Sequence, residues 1–472
     1  MRHIHFIGMG GIGMSGIAKV LLEMGYTVSG SDLKVSHMLK KLELLGARCF
    51  IGHSADNVGD ADVVVISSAI PEKNPEIVEA RRRDIPVIQR AEMLGVLMRD
   101  KNGIAVAGTH GKTTTTSMIA AVLEHNGLDP TVVIGGELND IGSNAKLGKD
   151  HYLIAEADES DASFLNLNPR IAVVTNIDSD VNMNVMPYAA CNYDYDSTMS
   201  VITNNFIKFI SKVPENGMVV LCTDNDRIRE ILPEVKCRVL TYGLEGGDIH
   251  VKDVALHEFC STSTVVYQGE VLGRLELRVP GRHNIQNALA AIAIGIRLGL
   301  SFKGIADALW SFEGVQRRFQ ILGEVNGVRV VDDYAHNPSK IRAALHAART
   351  GSRRRVVAVF QPHRYSRTRF LFNEFTGAFN DADVLVITDI YSAGEPPVVG
   401  IRSEILADAI AKATPHLKVV HIPRCDDVLP YLLKTSEDGD LVITLGAGDI
   451  CKVAEKLHYQ MKKSDLELVA TG

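Results

Sequence analysis

Ile104-Ala105-Val106-Ala107-Gly108-Thr109-His110-Gly111-Lys112-Thr113-Thr114 reads as a strand running into a phosphate-binding loop, and that reading decides the fold. The four apolar residues suit a strand buried on both faces. The glycines let backbone N–H groups approach phosphate oxygens, Lys112 supplies a point charge, and the Thr113 hydroxyl can ligate Mg²⁺. A helical pattern from Met118 to Glu124 places a helix behind the loop. The strict phosphate-loop pattern is incomplete, because Val106 stands where its first glycine is expected.

Working outward, the same grammar recurs near the start of the chain. His5-Phe6-Ile7 leads into Gly8-Met9-Gly10-Gly11-Ile12-Gly13, and a helical pattern follows from Met14 to Met24. Such glycines let a pyrophosphate rest on a helix N-terminus, and Asp32 closes the next strand-like run at the spacing of a ribose-binding acid. Taken alone, this motif suggests NAD and an oxidoreductase. A dehydrogenase has no use for the second phosphate site at Gly108–Thr114, which weighs against that reading.

Further Val/Ile runs lie at Val63–Ile66, Ile171–Val174, Val356–Phe360 and Val384–Ile387, alternating with helical patterns. Continuous runs of this kind predict parallel sheets covered by helices on both faces, so the fold class is α/β and doubly wound, repeated in several domains. Polar breaks at Arg99–Gly103 and between Phe312 and Asn326 divide the chain into 1–100, 101–318 and 319–472. Residues from Lys462 on read as a frayed tail.

Four more motifs carry chemistry. Glu156-Ala157-Asp158-Glu159-Ser160-Asp161 follows a strand-like run, where α/β proteins place Mg²⁺ ligands. In Gly281-Arg282-His283-Asn284-Ile285-Gln286-Asn287, Asn284 and Asn287 share one helix face and suit either a base edge or helix capping. Gly314–Phe319 with Asp332–Pro338, and Gln361–Thr368, bring arginines and histidines to strand ends. Arginine there suits carboxylate and phosphate through its bidentate fork.

Composition narrows the class. The chain has 472 residues, 46% hydrophobic and 23% charged, with a formal net charge of -7. Nothing supplies the basic excess of a nucleic-acid coat, so no nucleic-acid partner is expected. No apolar run is long enough to span a membrane, and no membrane partner is expected. The start of the chain lacks the features of a secretory signal. Seven dispersed cysteines without CxxC spacing suggest neither a zinc site nor a redox pair, and fit reduced thiols in a cytoplasm.

Together the motifs resemble, in order and over nearly the whole chain, the Mur ligases of bacterial peptidoglycan synthesis. The matching stretches are Gly10–Gly16, Gly108–Thr114, Glu156–Asp161, Gly281–Asn287, Gly314–Phe319, Asp332–Pro338, Gln361–Thr368 and Gly446–Ile450. The resemblance implies a Rossmann-like UDP-sugar domain, a central P-loop-type ATPase domain and a C-terminal Rossmann-like domain that brings in the amino acid. It implies ATP and Mg²⁺ as cofactors, and UDP-N-acetylmuramate and L-alanine as substrates, joined through an acyl phosphate. The enzyme would act in the cytoplasm as a monomer or homodimer.

Residue by residue, the resemblance implies ATP contacts at Gly108, Thr109, His110, Gly111, Lys112, Thr113, Thr114, Asn284, Asn287, Arg318 and Asp332. Thr113 and Glu156 would hold the metal. Gly10, Gly11, Ile12, Gly13, Asp32, Ser67 and Ser160 would hold the UDP-sugar. Lys112, Glu156, His336, Arg364 and Arg367 would act in catalysis, the last three on L-alanine and the anionic intermediate. Two departures stand out. Val181 occupies the place of a histidine that the family uses for a second metal ion, within an unfamiliar run to Asp196, and this keeps open a nucleotide-binding protein with impaired turnover. Asn337 replaces a second histidine after His336.

Overall fold

The computed structural model describes residues 2–138, 143–159, 162–178, 195–350 and 354–471. Among these, three sheets follow one another along the chain. The first has five parallel strands in the order Arg48–Ile51, Thr27–Asp32, His3–Ile7, Val63–Ile66, Val87–Gln89. Strand order reverses at His3–Ile7, and the glycine loop leaves from the C-terminal end of that strand. A doubly wound sheet opens its ligand crevice at this point.

The second sheet has ten strands. Asn102–Ala107 lies between Ile171–Val174 and Tyr152–Glu156, parallel to both. Ile104, Ala105, Val106 and Ala107 have no exposure, as expected of a strand covered by helices on both faces. The sheet is not parallel throughout. Thr131–Leu138 and Ser143–Lys146 form an antiparallel hairpin at one edge, and Ile249–Leu256, Ser261–Tyr267 and Glu270–Leu277 pair antiparallel at the other. The strands of the second edge keep one face partly in water, so they lack the continuous apolar runs by which sequence betrays a strand.

The third sheet has six strands, from Gln320–Val325 to Lys418–His421, and only its first pair is antiparallel. One buried apolar cluster runs from Ile4 to Val315, so the first two sheets share a core, whereas the third sheet buries separate clusters on its two faces. The expected frayed tail belongs instead to the helix Cys451–Thr471. That helix packs Val453, Ala454 and Leu457 onto the third sheet.

Candidate functional site

The loop after Asn102–Ala107 is shaped by two left-handed glycines. Gly108 has φ +135°, and a Cβ there would lie 2.1 Å from Thr175 Oγ1; Gly111 has φ +80°, and its Cβ would lie 2.5 Å from Asn287 Oδ1. Only glycine permits both the backbone and the close approach. The next strand braces the loop: Asn176 Oδ1 accepts from His110 N at 2.8 Å and Thr175 Oγ1 donates to His110 O at 2.6 Å. Helix Lys112–His125 follows, with its unpaired N–H groups toward the loop.

Lys112 Nζ donates to Gly108 O at 2.6 Å and pairs with Glu159 Oε2 at 2.7 Å, both side chains being nearly buried. Burial opposes the Lys112 charge, but Glu159, Glu156 and Asp158 outweigh it and raise its pKa above the lysine value. The ammonium is therefore held charged. Thr113 Oγ1 donates to Glu156 Oε2 at 2.9 Å, and Gly135 N donates to the same oxygen at 2.8 Å. A threonine hydroxyl and a carboxylate beside a phosphate loop are hard oxygen donors that suit Mg²⁺. Among the described residues no group of three or more His, Cys, Asp or Glu could hold a metal.

Two cavities meet at this point. One, of about 310 Å³, is lined by Thr109 to Thr114, Glu156, Asn284, Asn287, Arg318 and Asp333 among others. The second, of about 620 Å³, draws on all three domains: Gly11, Ile12, Gly13, Ser67 and Arg90 from the first, Lys112, Thr113, Glu156 and Arg318 from the second, Tyr334 and His336 from the third. Lys112, Thr113 and Glu156 line both, so ligands in the two cavities would meet over them.

Several expected residues sit elsewhere or differently. Asn284 and Asn287 line the smaller cavity but spend amide bonds inside the protein. Asn284 Nδ2 donates to Pro280 O at 2.7 Å, and Asn287 Oδ1 accepts from Thr115 Oγ1 at 3.1 Å. Asn287 thus ties the helix Arg282–Arg297 to the helix Lys112–His125, Asn284 holds the segment before its own helix, and neither caps that helix. Asp32 lines neither cavity; its Oδ2 accepts from Gly10 N at 2.9 Å and so closes the glycine loop. Arg364 and Arg367 also lie outside both linings. Arg367 donates to His363 Nδ1 at 3.0 Å, and the His363 ring stands 5.9 Å from that of His336. Burial, with the cations Arg367 and Arg364, draws His363 down to about 4, so this ring is a neutral acceptor at neutral pH.

Asp332 lines neither cavity. It is 2% exposed, and its carboxylate is taken by Arg317 Nε at 3.1 Å and Thr444 Oγ1 at 2.6 Å. The neighbour Asp333 faces the smaller cavity, accepts from Phe319 N and Ala335 N at 2.7 Å each, and is pushed by burial up to about 6 against the pull of Arg318. Successive residues of a strand point to opposite faces, and sequence alone does not say which of two adjacent aspartates looks into the crevice. Arg317 and Arg318 also differ: Arg317, at φ +59°, turns to Asp332 and reaches only the larger cavity, while Arg318 lines both.

Sequence reasoning also missed Glu159 as the partner of Lys112, and Arg90, whose guanidinium faces Gly13 and lies 3.7 Å from Asp158. Asn337, in place of a histidine, is the N-cap of helix Pro338–Arg349, accepting from Lys340 N at 3.0 Å. Ser160 and Val181 lie outside the described residues.

Comparison with known proteins agrees with this division of the site. The family model described as Mur ligase family, catalytic domain, matches residues 3–102; the Mur ligase middle domain matches 106–295, and the Mur ligase, glutamate ligase domain, matches 317–448. The chain is 51% identical over 465 residues to a UDP-N-acetylmuramate--L-alanine ligase of Pelotomaculum thermopropionicum, covering 98% of each. It is 52% identical over 466 residues to the protein of that name in Syntrophotalea carbinolica, covering 98% of this chain and 99% of the relative. A crystal structure of UDP-N-acetylmuramate-alanine ligase from Thermotoga maritima superposes with a TM-score of 0.81 at 30% identity, covering 98% of this chain and 99% of that one. Three domain matches in order and relatives of this identity over the full span make the chain a member of the Mur ligase family.

Proposed function

We propose that this chain is an ATP-dependent ligase that joins L-alanine to the lactyl carboxylate of UDP-N-acetylmuramate in peptidoglycan precursor synthesis. The carrying observation is the meeting of a nucleotide-sized cavity and a three-domain cavity over Lys112, Thr113 and Glu156. The relatives' names supply the substrates. An oxidoreductase would leave the phosphate loop and its charged floor without a task.

In this reading residues 1–100 bind the UDP-sugar, 101–318 bind ATP and 319–472 bring in L-alanine. The glycine loop, with Ser67 and Arg90, receives the UDP diphosphate. The smaller cavity takes ATP with its γ-phosphate at Lys112. The lactyl carboxylate attacks the γ-phosphorus, giving an acyl phosphate and ADP. The amine of L-alanine, freed of its proton, then attacks the acyl carbon, and phosphate leaves as the amide forms. A carboxylate is a poor electrophile, and phosphorylation supplies its leaving group. Phosphoryl transfer asks the protein for positioning and charge neutralisation more than for covalent help. Lys112 and Arg318 supply positive charge where negative charge gathers. Thr113 and Glu156 would hold Mg²⁺, which neutralises phosphate oxygens when bound. His336 would face the L-alanine carboxylate, and Arg364 and Arg367, behind the neutral ring of His363, would supply the positive charge toward which it lies. A site shared by three domains also shields the acyl phosphate from water.

The test is phosphate release from ATP with Mg²⁺, UDP-N-acetylmuramate and L-alanine, leaving out each in turn. Release that needs all four components is expected. Release independent of L-alanine and UDP-N-acetylmuramate, or none at all, would overturn the reading.

A further inference from the structure

The helix Ile12–Glu23, whose first turn carries the glycine loop, is not held by its own domain alone. Ser15, Gly16, Lys19 and Glu23 form one stripe along it. That stripe lies against the antiparallel strands Thr131–Leu138 and Ser143–Lys146 of the middle domain and the residue just beyond them. Lys19 Nζ donates to Ala145 O at 2.8 Å, and Leu147 N donates to Glu23 Oε2 at 3.0 Å. At the top of the stripe stands Asn144, 3% exposed. Its Nδ2 donates to Ser15 Oγ at 3.0 Å and to the carbonyl of Ile12, and Ser15 Oγ donates to that same carbonyl at 2.9 Å. Gly16 makes room, since a Cβ there would lie 3.1 Å from Asn144 Nδ2.

The other strand of the hairpin serves the reacting centre. Val133, Ile134 and Gly135 line the larger cavity, and Gly135 N holds Glu156 Oε2 at 2.8 Å. The two strands are locked in register, with Val133 opposite Ala145, and Val133 also pairs with Ala155, the residue before Glu156. One short hairpin therefore grips the glycine loop with one strand and Glu156 with the other.

We infer that Asn144 is a positioning residue, one that sets how far the sugar-diphosphate loop stands from the phosphoryl-transfer floor at Thr113 and Glu156. The inference rests on the ligase reading above. A substrate anchored at its diphosphate must deliver its carboxylate to that floor, and the anchor-to-floor distance decides whether the carboxylate reaches the phosphorus. A misplacement of about 1 Å lowers a rate roughly 100-fold. Asn144 touches neither cavity, so it acts only through what it holds.

The experiment compares wild type, Asn144→Asp and Ser15→Ala in full steady-state kinetics. Asn144→Asp keeps the shape but loses the amide donor. Ser15→Ala removes the receiving hydroxyl from the helix side and leaves the middle domain untouched. The expected result is a fall in kcat of about 10- to 100-fold for Asn144→Asp and a smaller fall for Ser15→Ala, by the same misplacement argument. The KM for ATP should stay within about threefold, and more ADP should form per ligated product. An Asn144→Asp enzyme with wild-type kcat and coupling would overturn the inference. So would losses matched by equal changes in every KM, which mark general weakening of the fold. Should Asn144→Asp not fold, Ser15→Ala decides alone. An inactive wild type would instead overturn the ligase reading, which keeps the two failures apart.

Discussion

Gly135 offers a way to move one functional atom by a known amount. A Cβ built on it lies 2.7 Å from Glu156 Oε2, 3.0 Å from Cδ and 3.1 Å from Oε1. Ordinary contact begins near 3.4 Å, so in Gly135→Ala the carboxylate must retreat by about 0.7 Å. Gly135 does not have positive φ, and backbone strain does not enter. The displaced group is the end of a side chain, so the folding penalty stays within about 1 kcal/mol. Catalysis is less forgiving. Glu156 is held by Thr113 and by Gly135 N, and a retreat of this size pulls it from the place where, in the proposed reading, it would grip the phosphate-bound cation. A displacement of nearly 1 Å corresponds to a loss of roughly 10- to 100-fold in kcat, or about 1.4 to 2.7 kcal/mol of barrier. The assay is coupled ADP formation with Mg²⁺ titrated at saturating substrates. Gly135→Ala should show lower kcat and a higher Mg²⁺ requirement, with a melting temperature close to wild type. Gly377→Ala, where a Cβ meets nothing within 4 Å, should match wild type. Normal kcat and Mg²⁺ dependence in Gly135→Ala would refute the argument that the Gly135–Glu156 contact sets the floor of the site.

Three further outcomes follow from the same geometry. Lys112→Met should abolish ligation and also destabilise the fold by about 3 kcal/mol, because it strands the buried Glu159 carboxylate; Lys112→Met with Glu159→Gln should regain most of that stability, read by urea denaturation, but no activity. Asp332→Asn should act on stability, whereas Asp333→Asn should raise the KM for ATP. For Asp333, the folded pKa of about 6 lies above the unfolded value, so its contribution favours the folded state at low pH and is lost as pH rises through 6. Between pH 4 and 6 the wild type should therefore lose on the order of 2 kcal/mol relative to Asp333→Asn, with no further change above about pH 7. Finally, Glu258 joins the middle domain to Arg329 at 3.2 Å and Arg354 at 2.9 Å on the third, with Arg329 stacked 3.8 Å over Phe259. Glu258→Arg should loosen that junction by about 1 to 3 kcal/mol, seen as separate melting of the third domain in calorimetry.

The parts of this protein legible in the sequence are those whose physics is local. A continuous apolar run followed by a glycine loop and a helix start encodes strand, turn and exposed N–H groups within a dozen residues, and both glycine loops lie between a strand and a helix as their sequence predicted. The three-domain α/β organisation is legible for the same reason, since fully buried parallel strands announce themselves by composition. The antiparallel strands Ile249–Leu256, Ser261–Tyr267 and Glu270–Leu277 were not legible, because a strand half in water carries no such run.

What only the tertiary structure decided concerns direction and partnership. It turned Asp333 rather than Asp332, and Arg318 rather than Arg317, toward the smaller cavity. It paired Lys112 with Glu159 and Asn144 with Ile12 across long stretches of chain. It spent the Asp32 carboxylate on the backbone of its own glycine loop. The local chemistry of each residue was present in the sequence from the start. Which neighbour each one meets depends on the facing of strands and the docking of domains, and both are set by how the cores close.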